Sequence, residues 1–407
     1  CRLSCRMGIT MKLSFVSPRF GKDIVGGAEY AVSQLAQNCL IHGGAEVEIL
    51  TTTAGDERTW SKKYESGEEE VDGIKIRRFN NDAIVRDEFD SWGSQFFGHL
   101  HEMTDGQFDQ WLIRQGPYSK DLLDAIEESD SDAIVFHPMI SSPTSHGIFR
   151  AKKPTILHPA LHDEPLARMP GYKKVANAAT LLSFSTYFEQ SLSRELFQTD
   201  LVRQAVIGFG IDDVERSTGH EVTEVLNKYG LDASKYAIVL GRVDVGKGSD
   251  VIARFFEQYS KSYDKDLKLI FVGPISGNSI LSKAEYVDRN SERIIATGLV
   301  SDVERDILLA NATALINPSV TESFSLVMLE AMKSKVPVII NSACGPTLEH
   351  VIRSNSGYMF EDFTTFCASL QMATTDSLDR DKRIVNGFRY VENNYSWNSV
   401  IEQYLKL

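Results

Sequence analysis

Short apolar runs of strand length, spaced between amphipathic helical stretches, are the feature that most restricts the folds open to this chain. In the second half such runs fall at 237–240, 267–272, 294–297, 314–317 and 336–341, with helical patterns at 249–263, 301–311 and 325–333 among them. A short run that is apolar throughout reads as a strand buried on both faces, and a helix between two such strands fits a crossover joining parallel neighbours. The first half repeats the alternation less regularly, with runs at 12–18, 47–53, 74–79, 133–137, 155–157 and 181–185 and helices predicted over 28–41 and 187–197. The pattern predicts an α/β chain of doubly wound parallel sheets, built twice, and 407 residues suffice for two such units.

The expected organisation is an unstructured extension over 1–10, a Rossmann-like domain over 11–208, a second over 209–392, and a closing helix over 393–407 that packs back on the first. The polar, glycine-containing stretch 208–235 is the natural hinge. Two segments interrupt the alternation. Residues 54–71, with Glu68, Glu69 and Glu70, read as a solvated loop, and 82–129 as an irregular helical insertion.

Lys and Arg number 43 against 56 Asp and Glu, a formal net charge of −13. That balance opposes nonspecific attraction to a phosphate backbone, so nucleic acid is not an expected partner. No run approaches the roughly 20 apolar residues of a membrane span. A basic patch at Arg150, Lys152 and Lys153 leaves peripheral contact with anionic headgroups open. The first ten residues carry Arg2, Cys5 and Arg6 without an apolar block, unlike a secretory signal. Cys1, Cys5, Cys39, Cys344 and Cys367 are odd in number and scattered, with no CxxC pair, which suits free thiols in a reducing compartment. The expected location is cytoplasmic, with peripheral contact at the inner membrane face left open.

The most informative segment is Gly241-Arg-Val-Asp-Val-Gly-Lys-Gly248, which leaves a predicted strand and enters a helix. Its glycines let backbone approach a ligand, and Arg242 and Lys247 suit a diphosphate, because charge-assisted hydrogen bonds contribute about 1.5–3 kcal/mol each. A surface turn with solvated charges is the alternative. The spacing nearly satisfies the phosphate-loop pattern, but Gly248 stands where a magnesium-ligating Ser or Thr is required, and Ser249 comes one residue late. The segment also fails GxGxxG, so NTP hydrolysis and hydride transfer are both disfavoured.

Residues 321–330, Thr-Glu-Ser-Phe-Ser-Leu-Val-Met-Leu-Glu, follow the predicted strand that ends near Pro318. With a helix starting near Ser325, Glu322 lies in the loop above the strand end and Glu330 in the second helical turn, facing one crevice. Carboxylates accept hydrogen bonds from sugar hydroxyls, and the free amides of Ser325 and Leu326 at the positive end of a helix attract phosphate. A polyhydroxylated, phosphorylated ligand fits both segments. Without that context, Glu322 would read as a cap and Glu330 as a solvated helix residue.

Together and in this order, the segments 241–248 and 322–330 resemble the donor-site signatures of retaining GT-B glycosyltransferases of family 4, the glycosyl transferases group 1. The similarity extends to Gly26-Gly27-Ala28-Glu29, Gly298-Leu-Val-Ser-Asp302 and Tyr395-Ser-Trp397, and so covers almost everything from Met11 to Leu407. The resemblance implies the GT-B fold, two Rossmann-like domains facing across a cleft. It also implies metal-independent transfer of a sugar from a nucleotide diphosphate sugar to an acceptor hydroxyl, with retention of anomeric configuration. By position, it gives Arg242 and Lys247 the donor diphosphate, Glu322 the hydroxyls of the transferred sugar and Glu330 the ribose. Phe324, Ser325 and Leu326 would supply backbone donors to phosphate, Gly298 and Val300 would lie beside the nucleobase, and Gly27 would close over the diphosphate from the other domain. Ser325 stands where family members commonly have Gly or Ala, which adds a hydroxyl.

In 158–165, His-Pro-Ala-Leu-His-Asp-Glu-Pro, His162 resembles the family's active-site histidine, able to donate a hydrogen bond to the sugar or to orient the acceptor. A capping or core imidazole is the alternative. Pro159, Pro165 and the lack of a third ligand argue against zinc at His158 and His162, and His137 beside Pro138 is left unassigned. Asp130-Ser-Asp132, Asp264-Lys-Asp266 and Asp379-Arg-Asp381 all spell the two-aspartate pattern of metal-dependent sugar transferases, but each sits where aspartate ordinarily caps or solvates. No metal and no cofactor beyond the nucleotide-sugar co-substrate is therefore assigned. The resemblance implies a catalytic set of His162, Glu322, Arg242 and Lys247, acting on a glycan, lipid-linked or small-molecule acceptor. A noncatalytic nucleotide-sugar-binding protein is the alternative from another class. A nucleotide-sugar epimerase on the same fold is the enzymatic one.

Overall fold

The structure, a computed structural model, describes residues 10–24, 26–213 and 217–407. Of the extension expected over 1–10, all but Thr10 lies outside the described residues, as do Cys1 and Cys5. Two compact units emerge: one runs to Gly210 and takes up Trp397–Leu407 as well, and the other spans Ile211–Ser396.

The first unit is built on eight strands: β1 (Lys12–Val16), β2 (Glu46–Thr52), β3 (Gly67–Val71), β4 (Ile74–Phe79), β5 (Ala133–Phe136), β6 (Thr155–Leu157), β7 (Leu181–Phe184) and β8 (Arg203–Val206). Their order is β3-β4-β2-β1-β5-β6-β7-β8. All neighbours are parallel except β3 and β4. From β1 the chain works outward to β4, then resumes beside β1 and works outward to β8, so right-handed crossovers send the two sets of helices to opposite faces. The central strands can be apolar throughout because both faces are covered. Val16, Ile134, Phe136, Leu182 and Phe184 meet Trp111, Tyr172 and Phe197 from the helices.

The second unit repeats the scheme on six parallel strands, β9 (Tyr236–Leu240), β10 (Lys268–Val272), β11 (Ile294–Ala296), β12 (Ala314–Asn317), β13 (Val338–Asn341) and β14 (Tyr358–Phe360), in the order β11-β10-β9-β12-β13-β14. Phe256 and Tyr259 from the helix Ser249–Ser262, with Phe366 and Leu370 from Phe363–Thr374, pack on Leu269, Phe271, Ile316 and Ile339. Chain progression reverses between β9 and β12. Ligands of such sheets bind beyond the carboxyl ends of the strands at that reversal.

The polar stretch 54–71 corrects one expectation: its last part is a strand. Asp72 (φ 53°) and Gly73 (φ 80°) form the two-residue turn that Asp-Gly favours, and the acids before it then face the bases of β4. Glu68 pairs with Lys75 at 2.9 Å and Arg77 at 3.1 Å, and Glu69 with Arg78 at 2.8 Å. A charged edge strand of this kind also resists pairing with another chain. The insertion 82–129 is helical, with Arg86–Ser94, Asp105–Gln115 and Lys120–Glu127, the latter two capped by Thr104 and Ser119. The hinge stretch carries a further capped helix, Gly219–Lys228. Arg150 is drawn onto Asp124 and Glu127, and Lys152 onto Glu127, so acids on the same surface meet most of that patch's charge. No helix among the described residues is long and apolar enough to cross a membrane. Cys39, Cys344 and Cys367 are free and buried.

Tyr404 anchors the closing helix Trp397–Tyr404 in the first unit, its ring stacked on His158 at 5.6 Å and its hydroxyl 3.2 Å from His158 Nε2. His137 packs edge-on against His158 at 6.2 Å. Burial pushes both imidazoles down, His137 to about 4 and His158 to about 3, from about 6.5 in an unfolded chain. Above pH 6.5 both states hold neutral rings. Below it the unfolded state takes up protons first, so stability falls between pH 6.5 and about 4, by about 1.4 kcal/mol per pH unit per histidine. Denaturant titrations at pH 7 and pH 5 should show wild type losing about 2 kcal/mol per histidine more than a His137→Gln/His158→Gln variant. Equal losses would show that neither ring is held neutral. The paired comparison removes the contribution of buried Glu189, pushed up to about 7 by burial, which acts with the opposite sign over this range.

Candidate functional site

Backbone hydrogen bonds stitch together the loops that leave β9, β10 and β11. The Gly241 amide donates to the Val272 carbonyl and the Gly273 amide to the Gly298 carbonyl, both at 2.9 Å. A Cβ on Gly273 would lie 2.1 Å from the Gly241 carbonyl oxygen, so the first two loops approach this closely only because that residue is glycine. Gly248 does the same between β9 and β12: at φ +77°, a Cβ there would sit 2.9 Å from the Pro318 carbonyl oxygen.

Beside that contact Lys247 Nζ lies 2.8 Å from Glu322 Oε1, an ion pair with side chains 35% and 20% exposed. It joins the loop after β9 to the loop after β12, where progression through the sheet reverses. Asp244 organises the first of these loops and is itself 7% exposed. One of its carboxylate oxygens accepts from the Lys247 amide at 2.7 Å, and the other from Arg242 Nε. Sequence reading missed this residue, although an aspartate three positions before Lys247 is the signal of a side chain that closes a tight turn.

The helix Leu326–Lys333 starts directly above the end of β12. Its N-cap, Ser325, is left-handed (φ 66°, ψ 68°), a conformation that costs an L residue about 1–2 kcal/mol. The Ser325 hydroxyl makes no capping bond to the helix and is held instead by Asn317 Nδ2 at 2.8 Å. First-turn amides of a helix have no intrahelical acceptor, so this end presents donors and the positive end of the dipole. Phe324 beside it is buried, its ring 5.3 Å from both His350 and Tyr395.

Glu330 lies in the second turn of the same helix. Its Oε1 is 3.6 Å from Arg305 Nη1, on the helix Asp302–Ala310 that follows the Gly298–Ser301 turn. Its Oε2 is buried with no hydrogen-bond partner among the described residues. Burial raises the carboxyl above its ordinary range, opposed by Arg305 and reinforced by Asp306 and other nearby acids. An unmet buried acceptor costs about 1–3 kcal/mol, more when charged, so the oxygen marks a place where a hydroxyl donor would be stabilising.

The structure thus gathers Arg242, Lys247, Gly298, Val300, Glu322, Phe324, Ser325, Leu326 and Glu330 on the loops and helix starts at the carboxyl edge of the second sheet. Gly27 and His162 belong to the first unit. Gly27 opens the helix Gly27–Ile41, with open space where a Cβ would stand. His162 lies in the loop after β6, one-third exposed, its Nδ1 3.9 Å from Glu164 Oε1. That loop is fixed by Glu189, whose carboxylate accepts from the Leu161 amide at 2.8 Å and the Ser185 amide at 2.7 Å. The aspartate pairs have ordinary partners. Asp130 meets Lys12 Nζ and Asp132 the Lys12 amide, Asp264 accepts from the Asp266 and Leu267 amides, and Asp379 meets Arg383. No cluster of three or more His, Cys, Asp or Glu suited to a metal occurs among the described residues.

Residues 234–376 match the family model described as Glycosyl transferases group 1. The chain is 21% identical to an uncharacterized glycosyltransferase of Methanocaldococcus jannaschii, over 97% of this chain and 96% of that one. It is 24% identical to a D-inositol 3-phosphate glycosyltransferase of Pseudarthrobacter chlorophenolicus, over 80% of this chain and 76% of that one. In structure it is similar to the sucrose-phosphate synthase of Thermosynechococcus elongatus, with a TM-score of 0.70, 16% identity and coverage of 97% and 98%. It is likewise similar to Anabaena HepE in complex with UDP and glucose, with a TM-score of 0.66, 16% identity and the same coverage. The chain therefore has the two-unit α/β fold of GT-B glycosyltransferases, and residues 234–376, which hold every candidate residue of the second unit, are a glycosyl transferases group 1 domain.

Proposed function

We propose that this protein is a metal-independent glycosyltransferase that takes the sugar of a nucleotide diphosphate sugar and places it on an acceptor hydroxyl with retention of anomeric configuration. The observation that carries the reading is the pairing of Lys247 with Glu322 at the strand reversal, beside the amino end of the helix that bears Glu330. A diphosphate arriving there competes with Glu322 for Lys247. Glu322 is then free to accept from hydroxyls of the attached sugar, and Arg242 adds a second cation. Amides of the Phe324-Ser325-Leu326 turn complete the cradle. The unmet Glu330 oxygen accepts a ribose hydroxyl, with Gly298 and Val300 beside the nucleobase. Gly27 and His162 keep the roles given by resemblance, toward the diphosphate and toward the sugar and acceptor.

As the sugar leaves, negative charge grows on the nucleoside diphosphate, and preorganised donors offset it without having to reorient. The departing oxygen takes the proton of the attacking hydroxyl on the same face of the sugar. Two structural neighbours support the donor class, since HepE is in complex with UDP and glucose and an Escherichia coli trehalose-6-phosphate structure is bound with UDP-2-fluoro glucose.

Thermal-shift screening of nucleotide sugars, then mass spectrometry of the best donor with glycan, lipid and small-molecule acceptors, should detect transfer. An altered sugar nucleotide formed without acceptor would instead define an epimerase, and binding without turnover a binding protein. The Arg242→Ala/Lys247→Ala variant removes two charge-assisted contacts and should weaken donor binding about 100-fold or more by calorimetry; unchanged affinity would remove the main support. Glu322→Gln should lower kcat more than Glu330→Gln, whose effect should appear in donor affinity. Negligible effects from both would discard the two roles.

A further inference from the structure

Behind the Phe324–Ser325 turn, three buried polar side chains form a line that ends on the backbone of the turn. His350, on the helix Gly345–Ser354, has its Nε2 3.1 Å from the Phe324 carbonyl oxygen and its Nδ1 3.0 Å from the Tyr390 hydroxyl. The Tyr390 hydroxyl lies 3.2 Å from that of Tyr395. The chemistry fixes the protons. A carbonyl only accepts, so Nε2 carries the hydrogen. Burial pushes the imidazole down to about 3, which keeps the ring neutral and leaves Nδ1 bare. Tyr390 therefore donates to Nδ1 and accepts from Tyr395. The four rings of Phe324, His350, Tyr390 and Tyr395 also pack edge to face at 5.3–5.8 Å, which locks their orientation.

In a trans peptide the Phe324 carbonyl and the Ser325 amide lie in one plane and point in opposite directions. Drawing the carbonyl into the core therefore turns the Ser325 amide outward, and the left-handed Ser325 then leads the chain into the helix. The Asn317 bond acts on the Ser325 hydroxyl rather than on this peptide. We propose that His350 is a positioning residue for the diphosphate cradle, holding the Phe324–Ser325 peptide so that its amide faces the anion drawn in by Lys247 and Arg242. The proposal rests on the donor reading above. It adds that the strained turn is imposed from the core, by a one-way relay from Tyr395 through Tyr390 and His350.

The test titrates the full chain by calorimetry with whichever of UDP, GDP and ADP binds best, and with the monophosphate of the same base. The readout is the ratio of the two affinities, which general loosening of the unit would not change. His350→Phe should lose about ten-fold of the diphosphate preference while monophosphate affinity stays within about two-fold. His350→Gln places an amide donor where Nε2 stands and should restore most of the preference. Tyr390→Phe breaks the relay at nearly constant volume and should lose a few-fold. It carries the test alone if His350→Phe does not fold. Folded His350→Phe or Tyr390→Phe with an unchanged ratio, or equal losses for both nucleotides, overturns the positioning role alone. Failure of wild type to bind any of the three diphosphates overturns the donor reading, and this role with it.

Discussion

Everything at the candidate site depends on two loops of the second sheet being able to touch. Gly248 lies against the Pro318 carbonyl so closely that any side chain would push them apart. Only at that separation can a lysine that follows β9 reach a glutamate that follows β12. The parallel sheet supplies the rest, since strands whose order reverses leave their outgoing loops free of crossover helices on either side. A backbone requirement at one glycine thus becomes an electrostatic arrangement of two side chains separated by 75 residues.

The electrostatics are balanced rather than basic. Arg242 meets Asp244, Lys247 meets Glu322 and Arg305 meets Glu330, so each of these cations has an acid beside it in a chain whose net charge is −13. A site of this kind does not attract anions over a distance, as a basic groove would. On the proposed reading, its selectivity would come from exchange. A ligand would have to offer an anion to replace Glu322 on Lys247 and, in the same molecule, hydroxyls to engage the acids. Phosphate alone would satisfy the first condition and a free sugar the second, whereas a sugar nucleotide would satisfy both.

Much of this was legible in the sequence, and the division between what was and was not follows sequence distance. The alternation of apolar runs and helices defines two doubly wound sheets because both faces of each central strand are buried, as at 237–240. Within the second sheet, Gly241 to Gly248 and Glu322 to Glu330 are contiguous motifs, readable because each is one loop and one helix start. Asp244 falls inside a motif yet escapes notice, because it acts within its own loop, on the Lys247 amide and on Arg242. Asn317, Arg305 and His350 act on partners 8, 25 and 26 residues away, and nothing local in the sequence marks them. The strand at Gly67–Val71 was hidden for a different reason. Its pairing is ionic, so it lacks the apolar period that marks other strands, and only Asp72-Gly73 betrays it.

Ser325 and Glu330 share a further property: each is held in a condition that lowers the stability of the unit by itself. One is an L residue at positive φ and the other a carboxylate with a buried, unmet oxygen. Such features persist only where surrounding structure over-determines them, and they concentrate where a ligand will use them. Here the surrounding structure is identifiable. The rings of Phe324, His350, Tyr390 and Tyr395 hold the turn, and Arg305 holds one oxygen of Glu330 while the other stays buried without a hydrogen-bond partner among the described residues. The two positions stand five residues apart at the start of one helix. On the proposed reading, that helix carries both a phosphate-facing end and a hydroxyl-facing acid, and their spacing would favour a ligand in which phosphate and ribose are covalently joined.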